Sequence, residues 1–334
     1  MSWTEDPRLA PALRWGVLGP GWISDRFVAA LQAETAQQVV AVGSRSVERA
    51  RAFASKWEIP TTYNSYDGLV ADPDVDVIYV ATPHSHHREQ ALLAIAAGKH
   101  VLVEKSFTRN AAEAREIVTA AREKGVFCME AMWTRFLPHM VALRQLINDG
   151  AVGDIISLRA DHGQFFPYKP EHRLYNPQLA GGALLDLGIY PVSFAHNILG
   201  TPSRVHAVGS QTQTGVDGQV SMIFTYDSPA HADLSTTLWS RTDASASIAG
   251  TAGRIDIDDM FYAPTSFTLR RLNGTVMQFQ QPLTHGLHFQ AAEVARRVSA
   301  GEKESPLMGL DESVAIMTVL DEIRAQIGVQ YPGE

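Results

Sequence analysis

The feature that most restricts this chain is an alternation that fills its first 130 residues. Four continuously apolar runs, LRWGVLG (13–19), QVVAVGSR, VDVIYVATP and HVLVEK, are separated by amphipathic segments such as WISDRFVAALQAE, SVERARAFASKWE and HREQALLAIAAGK. A strand without polar alternation is buried on both faces, and the segments between are the helices that cover it. The pattern predicts a doubly wound parallel sheet, an α/β domain over residues 1–130. Asn110 and Glu113 stand at capping-box spacing and open one more helix, which stops at Gly125.

After residue 150 that alternation gives way to strand-like runs, DIISLRADHGQFF, RVHAVGSQTQ, QVSMIFTY and ADLSTTLWSRT, with RIDIDDMFYAPTSFTLRR extending the series. Asp217-Gly218 is read as a hairpin-type turn between two of them. The expected division is therefore 1–130 and 131–334, and 334 residues suffice for two separate cores. A formal net charge of -8 with no long basic run argues against nucleic acid or an anionic membrane as a partner. The opening MSWTEDPRLAP lacks a signal pattern, and no stretch approaches the roughly 20 apolar residues of a membrane span, so a cytoplasmic location is expected. Cys128 stands alone in VFCME, which excludes a disulfide framework and suggests a core residue.

In parallel sheets of this kind ligands bind at the carboxyl ends of the strands, where helix N-termini expose unpaired N–H groups. The first strand ends in GPGWIS: Gly19 suits a tight turn, Gly21 lets a pyrophosphate approach, and Ser24 takes the third small position. Trp22 and Ile23 complete this candidate cofactor contact. A plain strand-to-helix turn would also explain the glycines, but their place before a helix favours a dinucleotide. The second strand ends in Gly43, Ser44 and Arg45, where an NAD site normally carries an acid, and Arg49 follows one turn later. Two guanidinium groups there suit a 2'-phosphate, so NADP is expected, with NAD as the alternative. The competing reading is a solvated arginine pair.

Three histidines crowd into ATPHSHH (81–87), but the run has no spacing that sets three imidazoles around one tetrahedral centre. No metal is expected; Thr82, Pro83, His84 and His87 are read as lining the nicotinamide cleft. HVLVEKSFTRN ends an apolar strand on Glu104 and Lys105, so Lys105 either snorkels to solvent or is held to do work. In MEAMWTRFLPHM the methionines Met129, Met132 and Met140 read as core. Trp133 and Arg135 fit either a domain stripe or a cleft wall, where they could meet cofactor or substrate.

GPGWIS, ATPHSHH, VEKSFTRN and GGALLDLGIYPV (181–192), in this order, resemble the glucose-fructose oxidoreductase / inositol dehydrogenase / MocA family. MEAMWTRFLP and the tail ESPLMGLDESVAIMTVLDEIRAQIGVQYP are similar to its dimeric dihydrodiol dehydrogenase and NADP-linked xylose dehydrogenase branch. The resemblance runs from about residue 12 to the end. It implies a Rossmann domain that contacts the cofactor, Glu104 and Lys105 included, followed by an α+β domain with an open, mostly antiparallel sheet that binds substrate. It implies a homodimer or higher homo-oligomer, because an open apolar face needs a cover.

The resemblance also places Lys105 beside the nicotinamide and aligns Asp186 and Tyr190 with the family's aspartate and the tyrosine or histidine four residues on. Lys105, Asp186, Tyr190 and Trp133 then form the substrate set. Hydride transfer to or from a carbinol carbon requires a group to handle the alcohol proton. Tyr190 suits that task if an ammonium such as Lys105 favours its phenolate, and Asp186 suits orienting substrate hydroxyls or holding the lysine. Whether Lys105 or Tyr190 transfers the proton is left open by the residues. Ser106 stands where the family usually has proline, which leaves Lys105 less rigidly aimed. The substrate implied is a cyclic sugar, a polyol or a trans-dihydrodiol. The rival readings are a non-catalytic dinucleotide sensor of the same fold and an NAD-dependent inositol-type dehydrogenase.

Overall fold

The structure, a computed structural model, describes residues 3–334. The chain forms two compact units: Glu5–Phe136 with His285–Val314, and Leu137–Thr284 with Ala315–Glu334.

The first unit is built on β1 (Arg14–Leu18), α1 (Trp22–Glu34), β2 (Gln38–Gly43), α2 (Val47–Trp57), β3 (Thr61–Tyr63), α3 (Tyr66–Val70), β4 (Val77–Val80), α4 (His87–Ala96), β5 (His100–Glu104), α5 (Ala111–Lys124) and β6 (Cys128–Ala131). Its six strands run in the order β3-β2-β1-β4-β5-β6, every neighbouring pair parallel. The order reverses between β1 and β4, so the loops after these strands diverge and open a crevice at their carboxyl ends. Val17, Leu18, Val77, Ile78, Val80, Val101, Leu102 and Val103 are fully shielded, as unbroken apolar strands require. On the α1 side Phe27 stacks on Tyr79 with ring centroids 4.0 Å apart and meets Trp15 edge-on at 5.5 Å. The buried Trp15 indole donates to Gln37, the partner an interior N–H needs. Asn110 caps α5 by accepting from the Glu113 N–H, and Gly125 ends it in the left-handed conformation.

The second unit begins with α6 (Pro138–Asn148), β7 (Ile155–Gly163) and α7 (Ile189–Leu199), the last entered through a π-helical turn, Leu184–Gly188. Then follow β8 (Arg204–Gln211), β9 (Asp217–Thr225), β10 (His231–Thr237), β11 (Ala246–Gly250), β12 (Gly253–Ile257), β13 (Phe267–Arg271) and β14 (Val276–Phe279). The sheet order is β14-β13-β12-β11-β7-β10-β9-β8, antiparallel except between β7 and β10. One face is apolar, with Leu158, Val220, Met222, Phe224, Leu234, Ile248 and Ile255 buried, and α7 lies on β7 and β10. The other face carries Arg159, His206, Ser221, Ile223 and Asp233, which alternate with the buried set along each strand.

Two readings of this half need correction. Asp217-Gly218 is not a turn: the hairpin closes earlier, at Thr212–Gly215, where Gly215 donates to the Thr212 carbonyl. Asp217 instead opens β9 and is fully buried, because a distant backbone segment uses its carboxylate. The run RIDIDDMFYAPTSFTLRR is two strands, β12 and β13, and SASIAG supplies a further one, β11, that the apolar pattern had not singled out.

Helices α8 (His288–Ser299) and α9 (Leu310–Ile327) complete the chain. In the first unit α8 packs Ala292 and Ala295 with Ala10, and Arg296 donates to the Asp6 carbonyl. Among the described residues no helix is long and apolar enough to cross a membrane.

Candidate active site

In the first unit, the turn after β1 has the shape of a phosphate cradle. Gly19 adopts φ +97°, and a Cβ there would lie 2.7 Å from the Thr82 methyl and 3.1 Å from the Ala81 carbonyl oxygen. Only glycine fits such a backbone. Ser24 donates to the Gly19 carbonyl at 2.6 Å and braces the turn from within α1. Gly21 is the N-cap of α1 and has no side-chain cap, and a Cβ on it would meet nothing within 4 Å. Unpaired N–H groups at a helix start with open room before them suit a pyrophosphate, so the residues fit a dinucleotide. Trp22 is 72% exposed, with the Arg26 guanidinium 5.2 Å over its ring, and Ile23 is half-buried.

At the end of β2, Ser44 is buried and its hydroxyl accepts from the Ser46 N–H. Arg45 is exposed and close enough to help depress the pKa of His86, which burial lowers first. Arg49 donates to the Pro20 carbonyl at 2.9 Å, so its guanidinium lies along the glycine turn. No carboxylate occupies the strand end.

The loops after β4 and β5 are tied to each other. His87 is wholly buried, with Nε2 2.8 Å from the Thr82 carbonyl and Nδ1 2.9 Å from the Ser106 carbonyl. Burial lowers its pKa while the hydrogen bonds to those carbonyls raise it, and the ring ties the two loops together. No part of the His87 residue is exposed. Thr82 donates to Gln90 at 2.5 Å, and His84, also buried, meets His87 edge-on at 5.6 Å. Pro83 lies between them and precedes the short turn His84–His86. Among the described residues no group of three acids, histidines or cysteines is arranged to hold a metal.

Glu104 is likewise an anchor. It is buried and accepts from the Tyr79 hydroxyl at 2.5 Å and from the Lys105 N–H at 3.2 Å. The Lys105–Ser106 peptide bond is cis. Ser106 is fully buried, and the next N–H, that of Phe107, donates to Glu130 at 3.1 Å. Lys105 itself is half-buried, so the loop that carries it is fixed before and behind while the side chain keeps access to solvent. Burial raises Glu130 to about 7, with the Ser313 hydroxyl and the nearby Arg135 acting the other way. Arg135 is itself 3% exposed, paired with Glu312 at 2.8 Å and donating to the Leu307 carbonyl. The guanidinium is thus buried and paired within its own unit. Trp133 is half-buried on the same short helical turn, Trp133–Phe136.

In the second unit, Asp186 and Tyr190 follow the Gly181-Gly182 loop. Asp186 lies in the π-helical turn and Tyr190 in the first turn of α7. Both oxygens of Asp186 accept from Arg173, at 2.9 and 3.1 Å, a two-pronged pair that fixes the carboxylate. The Tyr190 ring is 8% exposed and packs against His162 at 5.3 Å and Tyr262 at 4.9 Å. His162 stacks on Tyr262 at 4.0 Å, and the Gln164 amide nitrogen bonds both the His162 Nε2 and the Tyr262 hydroxyl. Sequence reasoning missed Arg173, His162, Gln164 and Tyr262. The readable signal was His162, a polar residue at an inward position of an otherwise apolar strand face.

Comparison with known proteins agrees with the fold of both units. The family described as oxidoreductase family, NAD-binding Rossmann fold, matches residues 13–132, and the GFO/IDH/MocA C-terminal domain matches residues 140–256. The trans-1,2-dihydrobenzene-1,2-diol dehydrogenase of Macaca fuscata fuscata is 39% identical, covering 96% of this chain and 98% of that protein. The mouse enzyme of the same name is 40% identical with the same coverage. Among solved structures, the aldose-aldose oxidoreductase of Caulobacter crescentus superposes with a TM-score of 0.85 at 26% identity, covering 94% of this chain and 97% of its own. The 3-ketoreductase KijD10 of Actinomadura kijaniata, solved with NADP and TDP-benzene, gives 0.84 at 27% identity, covering 95% and 98%. With both halves matched in order and relatives aligned over nearly the whole length, the chain belongs to the Gfo/Idh/MocA family of oxidoreductases.

Proposed function

We propose that the protein is an NADP-dependent oxidoreductase that interconverts a secondary alcohol and a carbonyl on a cyclic sugar, polyol or trans-dihydrodiol. The observation that carries the reading is the presence of Lys105, Asp186 and Tyr190 together in a chain 39% identical, over 96% of its length, to dihydrodiol dehydrogenases. A dinucleotide sensor has no use for an acid–base set.

The nicotinamide, when bound, accepts or supplies the hydride at its C4 carbon. Gly19, Gly21, Trp22 and Ile23 would hold the pyrophosphate end, and Ser44, Arg45 and Arg49 the ribose 2'-phosphate. Lys105 supplies the positive charge and hydrogen-bond donors that favour an alkoxide-like substrate oxygen. Tyr190 exchanges the proton, and Asp186, with Arg173 behind it, orients the neighbouring hydroxyl. Trp133 offers an aromatic face to the ring. Residues 1–130 would then serve the cofactor and 131–334 the substrate.

The open face of the second sheet supports a homodimer, in a cytoplasmic enzyme. Val208 is 73% and Ile223 49% exposed there, and Arg159 pairs with Asp233 across the strands, so the same surface offers apolar and both charged partners to a second copy. Sedimentation tests this: Ile223→Asp is expected to halve the mass in solution, and a monomeric wild type would overturn it.

The test of function is calorimetric binding of NADP and NAD, then reduced-nicotinamide absorbance against aldoses, inositols and dihydrodiols. NADP bound at least tenfold tighter than NAD, with turnover on one class, is expected. Arg45→Asp should erase that preference; an unchanged ratio would remove Arg45 from the phosphate site. NADP binding without turnover on any class would favour the sensor.

A further inference from the structure

The Asp217-Gly218 pair has so far no role in the reaction, and its position in the second unit supplies one. Asp217 is fully buried at the first residue of β9, and its Oδ2 accepts from the Leu184 N–H at 2.6 Å. The Ala183 N–H acts on the same carboxyl. These two N–H groups begin the π-helical turn, where no earlier turn of helix supplies acceptors, and Ala183 at its N-cap has no side-chain oxygen to bond them. Asp217 therefore caps the helix from 33 residues further along the chain.

The loop leading into this turn is shaped to admit the carboxylate. Gly182 has φ +116°, and a Cβ on it would lie 2.2 Å from the Asp217 Oδ1. No other residue leaves that space. The preceding carbonyl, of Gly181, accepts from the buried Tyr331 hydroxyl at 2.7 Å. Tyr331 is in turn covered by Arg324 of α9, whose guanidinium sits 4.8 Å over the ring and pairs with Asp321 and Glu334. Two buried side chains from distant parts of the sequence thus grip consecutive peptides of one loop. Asp186 lies two residues beyond the capped N–H and Tyr190 six.

We propose that Asp217 is a positioning residue: its carboxylate, braced by Tyr331 on the same loop, fixes the backbone from which Asp186 and Tyr190 project. This rests on the functional reading above for its consequence in turnover, but not for its consequence in backbone order.

The experiment compares full-length wild type, Asp217→Ala, Asp217→Asn and Tyr331→Phe by hydrogen exchange and by kinetics on the substrate class that the panel identifies. In Asp217→Ala, exchange over residues 181–190 is expected to rise about tenfold or more while residues 14–43 stay protected. With the site misplaced, kcat/KM should fall about 100-fold, chiefly in kcat, with NADP affinity held within about twofold. Asn keeps an acceptor oxygen, so Asp217→Asn should recover to within about threefold of wild type. Tyr331→Phe should give a smaller loss with the same local rise in exchange, and it decides the matter if Asp217→Ala does not fold. Unchanged exchange over 181–190 in both variants, or a loss of protection spread evenly over both units, would overturn the proposal. A wild type without turnover on any substrate would sink the functional reading alone, because the exchange measurement still stands.

Discussion

The loop that carries Lys105 and the helix that carries Asp186 and Tyr190 are held in different ways. Lys105 follows a parallel strand whose backbone is bonded on both sides, and the groups that fix its loop, Glu104, His87 and Glu130, are buried and bond mostly to main-chain atoms or a single hydroxyl. Asp186 and Tyr190 instead lean on side chains from elsewhere in the unit: the half-exposed Arg173, the His162–Tyr262 stack and Asp217. A lattice of backbone bonds aims the first group, and a set of long-range side-chain contacts aims the second. Substitutions should therefore act locally in one region and spread in the other.

The largest test concerns Lys105, the side chain proposed to act on the substrate oxygen. Lys105→Ala should lower kcat/KM by about 10³-fold while leaving NADP affinity and thermal unfolding near wild type, because the loop keeps its buried ties. A loss of melting temperature as large as that of a core truncation would show that Lys105 helps build the loop, and the contrast would break.

The next test is smaller and uses pH. Burial raises Glu130 to about 7 and Asp217 to about 6, above their ordinary values of 4.5 and 3.8. The folded state therefore holds more protons than the unfolded one across these windows, and stability falls as pH rises through them. For Glu130 the change is about 3 kcal/mol and continues through pH 7, where the folded-state carboxyl is half titrated, ending roughly one pH unit higher. Glu130→Gln keeps an acceptor for the Phe107 N–H and should flatten denaturation midpoints between pH 6 and 7, leaving the Asp217 slope below pH 6. A slope between pH 6 and 7 that persists in the variant would show another group to be responsible.

The smallest effect is expected at Arg173, whose side chain is 49% exposed. Arg173→Gln should cost about 1 kcal/mol of stability, since water screens the pair. It should nonetheless lower kcat/KM about tenfold, because Asp186 loses the two-pronged bond that helps fix its orientation. Equal and opposite behaviour, a stable active enzyme or an unstable one with normal turnover, would show that the second region is not aimed by its side chains.

The same difference explains what could be read in advance. Parallel strands are legible because burial on both faces leaves continuous apolar runs, and the glycine turn and Asn110 cap carry local signals that the structure retains. His87, Glu104 and Arg135 are read from the sequence as facing a ligand, and the structure adds what the sequence does not show: each is buried with a bonded partner 19, 25 or 177 positions away. Nothing in a sequence window reports such a partner. Asp217 is the plainest instance: its neighbour Gly218 gave it the look of a turn, while its real partner was Leu184.

The division of the chain also bears on how it is made. The first unit is finished by His285–Val314, which reaches the ribosome exit only after all of Leu137–Thr284. Until then Ala10 lacks its neighbours on α8, and the Cys128 N–H of edge strand β6 lacks the Lys303 carbonyl it bonds. A nascent Rossmann sheet thus waits with the Cys128 N–H of its edge strand unbonded through the synthesis of an entire second sheet, the interval in which that edge is most open to wrong pairing.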